Sequence, residues 1–336
     1  MRSTQPGRRK RPRIFITQPI AKSAIARLRE AATVTVDPDA SRILARNKLI
    51  AAVRGCDILF CLLHDRVDAG VIAANAHLRM IAAQSITPSH IDVDAATARG
   101  IPVTVVPVMT TDTTADIAFG LMLAVARRIV EGDRMVRAGK FPGAQSSYLL
   151  GSLVFGKTIG LVGGGGLIGK AVARRAHGFD MRVLYWTPRR KPESEEREAG
   201  LTFVPLDQLL RESDFVSIHS PLNKETRHQI GARELKLMKK SAYVINTARG
   251  AIVDEAALIR ALEKKEIAGA GLDVFEFEPR VGEALRKLSN VVLTPHLGSA
   301  VGDAREAMAH AVADNIFAFL AGERPPNCVN PQVLAP

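Results

Sequence analysis

Long apolar runs are missing from this chain. Nothing in its 336 residues approaches the ~20 consecutive apolar positions a membrane helix needs, so no span is expected. No apolar segment follows the basic N-terminus either, which argues against a secretory signal. Cysteine is scarce. Cys56, Cys61 and Cys328 have no metal-ligand spacing, and two of them lie in or beside an apolar strand pattern. The set suits a reducing cytoplasm and no metal site is expected. Aromatic residues are absent from the one strongly basic stretch. Arg2, Arg8, Arg9, Lys10, Arg11 and Arg13 supply six of the net +12 charges, which leaves an unremarkable +6 for the rest. With Pro6, Gly7 and Pro12 among them, residues 1–12 read as a disordered, solvated tail; a nucleic-acid partner is not expected.

What is present is enough for two domains with real cores. Short β-branched or apolar runs alternate with helical spacing, which implies parallel sheets covered by helices. Strands are expected at 14–16, 33–36, 57–63, 79–86 and 101–106, with helices at 20–32, 41–53 and 68–75. This block has no glycine-rich phosphate turn. One long helix is expected over 113–139, then a loop over 141–155. A second α/β block starts at Gly156, with strands near 159–162, 181–185, 202–204, 215–219, 242–248, 268–274 and 291–293. A last helix covers about 302–320.

The second block opens on Thr158-Ile159-Gly160-Leu161-Val162-Gly163-Gly164-Gly165-Gly166-Leu167-Ile168-Gly169-Lys170. Strand, glycine turn and helix in that order make a phosphate cradle: glycines let backbone N–H groups approach a pyrophosphate at the positive end of the helix. One frame fits Gly-x-Gly-x-x-Gly, namely Gly164, Gly166 and Gly169. Alone the motif also fits a tight βα turn without a ligand; the return strand at βαβ distance favours a dinucleotide.

Three later strand ends carry polar groups. Arg249 offers a planar fork for a carboxylate, against the bland reading of a surface arginine in a turn. Asp273 ends a strand, with Glu276 and Glu278 behind it. His296 follows Thr294-Pro295; histidine suits proton transfer near neutrality, although a structural histidine is the commoner fate. A dinucleotide, a cationic anchor and a carboxylate-tuned histidine together suit hydride transfer to the carbonyl of a small keto acid.

From about Arg79 to Val329 the chain resembles the D-isomer-specific 2-hydroxyacid dehydrogenases. The resemblance rests on Asp92 to Val103, Thr114-Ala115-Asp116, the glycine motif, Ser213 to Ser217, Asn246 to Gly250, Gly271 to Glu276 and Thr294 to Ser299. It implies two doubly wound α/β domains: a Rossmann-type cofactor domain over 112–302, and a smaller, flavodoxin-like substrate domain from 13–111 plus 303–336. It implies a hinge that closes over substrate, and a homodimer built around the long helix. Arg249, Glu278 and His296 would form the catalytic set. Thr114, Gly164, Gly166, Leu167, Ile168, Gly169, Thr187, Arg189, Arg190, Pro221, Thr226, Thr247, Ala248, Asp273 and Gly298 would meet the cofactor. Ser85, Ile86 and Thr87 would meet the substrate.

Three features depart from the family pattern. Thr187 stands where an acidic residue usually holds a ribose 2′-hydroxyl, and Arg189, Arg190 and Lys191 follow. NADP(H) is therefore expected in preference to NAD(H). The substrate loop, Gln84 to His90, contains Ser85, Thr87 and Pro88 where glycines are frequent. The glycine turn is one residue longer than usual. The expected activity is cytoplasmic reduction of a small 2-keto acid, glyoxylate or hydroxypyruvate, to the D-2-hydroxy acid. The alternatives are oxidation of a D-hydroxyacid such as 3-phosphoglycerate, and a dinucleotide-sensing scaffold or corepressor.

Overall fold

The computed structural model describes residues 11–334, so the basic stretch expected to be a tail lies outside them except for Arg11 and Pro12. The chain forms two compact units. One comprises 1–109 and 301–336, the other 110–300.

The first unit runs β1 (Arg13–Ile16), α1 (Lys22–Ala31), β2 (Thr33–Val36), α2 (Arg46–Val53), β3 (Ile58–Leu62), α3 (Ala69–Ala73), β4 (Met80–Gln84), α4 (Val93–Ala98) and β5 (Val103–Thr104). Its strands pair in parallel in the order β2-β1-β3-β4-β5. That is the flavodoxin-like doubly wound order. The run Ile58 to Cys61 is apolar throughout because both faces are covered: Ile58 and Phe60 enter one core cluster, Leu59 and Cys61 the other. Helix α2 starts later than its periodicity predicts. Asp39 caps the Ser41 amide instead (2.9 Å), and this local turn competes with helix. Helix α4 escapes the periodicity reading, yet Asp92 caps it by accepting from the Ala95 amide.

The second unit runs α5 (Thr111–Ala126), α6 (Ile129–Arg137), β6 (Thr158–Val162), α7 (Leu167–His177), β7 (Arg182–Trp186), α8 (Glu193–Ala199), β8 (Thr202–Phe203), α9 (Leu206–Glu212), β9 (Phe215–Ile218), α10 (Ala232–Leu237), β10 (Tyr243–Asn246), α11 (Glu255–Glu263), β11 (Gly269–Leu272), α12 (Glu283–Lys287) and β12 (Val291–Leu293). The seven parallel strands lie in the order β12-β11-β10-β9-β6-β7-β8. This is the Rossmann order with one added strand, and it reverses direction between β6 and β9.

The single long helix expected over 113–139 is corrected to two. Helix α5 stops at Ala126, and Arg128 turns left-handed at φ 55° before α6 begins. The Ala126 carbonyl accepts instead from the Ser152 amide (2.8 Å), and Gly151 approaches it too closely for any Cβ. A tertiary contact therefore ends the helix where propensity would continue it.

Helix α13 (Gly302–Ala321) belongs to the first unit. Met308, Val312, Ala313 and Ile316 enter the cluster containing Ile14, Ile58 and Met80. The following segment completes the edge strand: Asn327 O accepts from the Val105 amide, and Asn330 Oδ1 from the Val103 amide. Among the described residues no helix is long and apolar enough to cross a membrane.

Candidate active site

Strand β6 delivers the four glycines to the switch point, and each has its own reason. Gly163 sits at φ 83°, and a Cβ there would come within 2.6 Å of the Ser220 amide on the neighbouring loop. Gly164 and Gly169 touch: a Cβ on Gly169 would lie 2.5 Å from the Gly164 Cα, so helix and turn pack backbone to backbone. Gly166 is the N-cap of α7 and offers no side-chain cap, which leaves the first-turn N–H groups for an anion. Leu167 is exposed at the helix start and Ile168 is partly buried. Gly165 is limited only by side chains, those of Lys191 and Thr187. The cradle fits a pyrophosphate.

The turn after β7 divides the cations. Thr187 Oγ1 donates to the Arg189 carbonyl (2.7 Å). Arg189 is exposed and makes no ion pair among the described residues. Arg190, grouped with it from sequence, is instead held by both oxygens of Glu196, at 2.9 and 2.8 Å. This pairing holds the Glu196 carboxyl down near 2.

Across the switch point, the loop after β9 is latched by Thr226, whose Oγ1 donates to the Pro221 carbonyl (2.6 Å). His219 lies at its start, and burial pushes its imidazole down to about 4. At the end of β10, the Thr247 hydroxyl is buried without a partner among the described residues, and Ala248 is half-buried. An orphaned hydroxyl on this face fits a polar ligand.

Arg249 stands at the mouth of a 3₁₀ turn, Gly250–Ile252, and donates to the Ala248 carbonyl (2.7 Å). Burial lowers its pKa, and the Glu278 carboxylate opposes that. Gly250 explains why the two are near: a Cβ there would fall 1.9 Å from the Phe275 carbonyl carbon, so the two loops touch through backbone. Glu278 Oε1 accepts from the Phe275 amide (2.9 Å), which fixes the carboxylate, and its Oε2 meets His296 Nδ1 at 3.0 Å. Both side chains are 19% exposed, dry enough for the contact to matter yet reachable. His296 itself sits at φ 56°, a conformation that costs a non-glycine residue free energy. It is held there by its amide bonding to the Asp273 and Thr294 carbonyls.

Asp273, wholly buried, organises the loop behind the histidine. Its Oδ1 accepts from Thr294 Oγ1 (2.6 Å) and the Leu297 amide (2.7 Å), and its Oδ2 from the Gly298 amide (2.9 Å). The Gly298 carbonyl takes the hydroxyls of Thr113 (2.7 Å) and Thr114 (3.2 Å). Thr113 escapes the sequence reading. Its only signal is the Thr113-Thr114 pair ahead of an apolar helix.

Glu276, left open beside Glu278 as a histidine partner, is drawn elsewhere, to His228 (2.7 Å) and Arg227 (3.1 Å). In the first unit, Ser85, Ile86 and Thr87 follow β4. The Ser85 hydroxyl is buried and donates to the Thr87 carbonyl (2.8 Å), so its proton closes the loop; Ile86 packs on the core and Thr87 is exposed.

What the fold and these side chains define is a class, the nicotinamide-dinucleotide-dependent oxidoreductases. Known proteins narrow it. Residues 119–298 match the family model described as D-isomer specific 2-hydroxyacid dehydrogenase, NAD binding domain. The glyoxylate reductase of Thermococcus litoralis is 49% identical over 330 residues, covering 96% of this chain and 98% of its own. Among solved structures, the TT0316 protein from Thermus thermophilus shares 42% identity at a TM-score of 0.86, covering 94% of this chain and 99% of its own. A glyoxylate reductase from Paecilomyes thermophila shares 31% at a TM-score of 0.80, covering 96% and 99%. The chain belongs to the D-isomer specific 2-hydroxyacid dehydrogenase family.

Proposed function

We propose that the protein is a cytoplasmic, NADPH-preferring reductase of small 2-keto acids, glyoxylate first and hydroxypyruvate second. One observation carries the reading: Glu278, which holds His296 at 3.0 Å, stands on a loop that packs backbone to backbone against the Arg249 loop. Relatives at 49% and 48% identity bear the name glyoxylate reductase, which supports glyoxylate as the substrate.

In this reading Arg249 binds the substrate carboxylate and polarises the carbonyl. A nicotinamide dinucleotide, when bound, would supply the hydride for the carbonyl carbon. His296 gives a proton from Nε2 to the carbonyl oxygen, and the product is the 2-hydroxy acid. Glu278 fixes the ring through Nδ1, which leaves Nε2 for the substrate. Asp273 keeps the His296 loop in place and has acceptor capacity left for a carboxamide N–H. Gly164, Gly166, Leu167, Ile168 and Gly169 would hold the pyrophosphate, and Pro221, Thr226, Thr247, Ala248, Gly298 and Thr114 would line the rest of the dinucleotide. Ser85, Ile86 and Thr87 are the first unit's candidate substrate contacts.

NADPH preference is supported by Thr187 in place of a carboxylate and by Arg189 beside it, which has no ion-pair partner among the described residues. A homodimer is supported by α6, which buries no residue within its own chain, and by Val136, Phe141, Leu150, Leu153 and Phe155, each at least 55% exposed.

An initial-rate panel crossing NADH and NADPH with glyoxylate, hydroxypyruvate, pyruvate and phenylpyruvate tests the reading. Glyoxylate with NADPH should give the highest kcat/KM. Tight dinucleotide binding without turnover of any of the four acids would point to a sensor instead. Sedimentation of wild type and Val136→Asp tests the dimer, which the added charge should split.

A further inference from the structure

The cations behind β7 are not equivalent, and the extra glycine bears on the difference. Arg190 is closed into a network. Its guanidinium takes both oxygens of Glu196, and the Tyr185 hydroxyl donates to the same carboxylate at 2.6 Å. The same hydroxyl accepts the Lys191 amide at 2.9 Å. Arg190 therefore fixes the backbone at Lys191 and has its fork occupied. Lys191 is half-buried; its ammonium makes no hydrogen bond or close ion pair among the described residues, and feels the Glu195 carboxylate only through space. The nearby Glu195 carboxylate is held by Lys170 at 2.6 Å. The Lys191 stem lies across Gly165: a Cβ there would come within 2.9 Å of both its Cγ and Cε, and within 3.3 Å of the Thr187 methyl. Backbone limits Gly163 and Gly164 in a way it does not limit Gly165.

We propose that Lys191, seated on Gly165 at the pyrophosphate turn, is with Arg189 the residue that recognises the 2′-phosphate of the dinucleotide, while Arg190 only positions it through Glu196 and Tyr185. The assignment rests on the NADPH reading above and adds the residues that carry it. The fourth glycine then has a role. It keeps the turn low enough for a lysine stem to lie across it and bring an ammonium beside the adenosine ribose. A lysine suits this place because its point charge needs no fixed fork geometry to meet a phosphate.

Trp186, the chain's one tryptophan, ends β7 next to this turn and provides a binding signal independent of turnover. The probes are 2′,5′-ADP and 5′-ADP, titrated against the whole protein. Wild type should bind 2′,5′-ADP at least about 10-fold more tightly. Lys191→Ala should weaken 2′,5′-ADP by about 10- to 100-fold and change 5′-ADP by less than about 2-fold, as loss of one charge-assisted contact would. Gly165→Ala should act in the same direction in the wild-type background and add nothing to Lys191→Ala, because it acts through the lysine. Glu196→Gln separates bracing from direct contact. Loosening the brace should weaken 2′,5′-ADP, whereas a freed Arg190 that bound phosphate itself would strengthen it. Equal affinities of wild type for the two probes would overturn the NADPH reading and this assignment together. A wild-type preference that survives Lys191→Ala, or tighter binding in Glu196→Gln, would leave the NADPH reading standing and overturn the assignment alone.

Discussion

Replacing Gly250 with alanine should separate catalysis from folding. The new Cβ would lie 1.9 Å from the Phe275 carbonyl carbon, 2.1 Å from its oxygen and 2.3 Å from the Glu276 nitrogen. Ordinary carbon contacts need about 3.5–4.0 Å, so the two loops must part by roughly 1.5–2 Å. Neither yields easily. The Arg249 carbonyl accepts from Asn246 Nδ2 (3.0 Å), and the Glu276 amide is held by Glu255 (3.1 Å). Overpacking of this kind costs about 1–3 kcal/mol. At about 2–4 °C per kcal/mol for a unit of this size, the melting point should fall by about 2–12 °C. Activity should suffer more, because the same movement draws Arg249 away from Glu278 and His296; a displacement of about 1 Å is enough to cost on the order of 100-fold. The assay is kcat/KM with glyoxylate, alongside a thermal melt and a Trp186 titration with dinucleotide, whose affinity should be nearly unchanged. Gly302→Ala, where a Cβ meets nothing within 4 Å, is the control. A Gly250→Ala enzyme within about threefold of wild type in kcat/KM would refute the reasoning.

His296→Ala should lower kcat by about 10²- to 10⁴-fold and leave dinucleotide affinity within about 2-fold, read by initial rates and Trp186 titration. Arg249→Lys should raise the KM for the keto acid by about 10-fold or more, since a point charge replaces a two-pronged contact; an unchanged KM would remove Arg249 from the carboxylate. Asp273→Ala should destabilise the second unit by about 2–5 kcal/mol, because two backbone amides and the Thr294 hydroxyl lose their acceptor, and denaturant midpoints measure it. His219 gives a pH dependence: the unfolded chain takes up a proton near 6.5 that the folded chain refuses until about 4. Stability is therefore complete above the upper value and is lost as pH falls through that window, by about 3 kcal/mol at most. His219→Asn should narrow the difference in melting temperature between about pH 7.5 and about pH 5, and an unchanged difference would count against burial as the cause.

The sequence was most legible where one local rule decides. Apolar runs such as Ile58 to Leu62 and Tyr243 to Ile245 are buried on both faces, so their strand character needs no partner to be visible. Strand ends followed by Arg249, Asp273 and His296 could be read because ligands gather at that edge of a parallel sheet. Legibility failed where a tertiary contact outweighed propensity. Nothing in the α5–α6 run announces that Ser152 will take the Ala126 carbonyl and break the helix. Short helices such as α4, α8 and α12 carry too few apolar positions for a period to show. Arg189, Arg190 and Lys191 look alike as a basic triplet; only the placement of Glu196, one turn of α8 later, tells the occupied cation from the available one. The sequence also could not choose between Glu276 and Glu278 without a family likeness, whereas the folded loop sends one to His228 and the other to His296.

The clasp at Gly298 bears on how the chain assembles as it is made. About 190 residues interrupt the first unit before α13 can complete it. Held as a loose loop, a segment of that length would oppose closure by on the order of 5 kcal/mol. The interrupting unit is contiguous, however, and once folded it brings its own two ends together: the Thr113 hydroxyl lies 2.7 Å from the Gly298 carbonyl, with Thr114 beside it. Leaving the ribosome first, it can fold while α13 is still being synthesised. It then turns a long-range closure into a nearly local one for the five-stranded sheet upstream, which still lacks α13. Two threonines at the base of a helix would thus serve the biogenesis of a unit to which neither belongs.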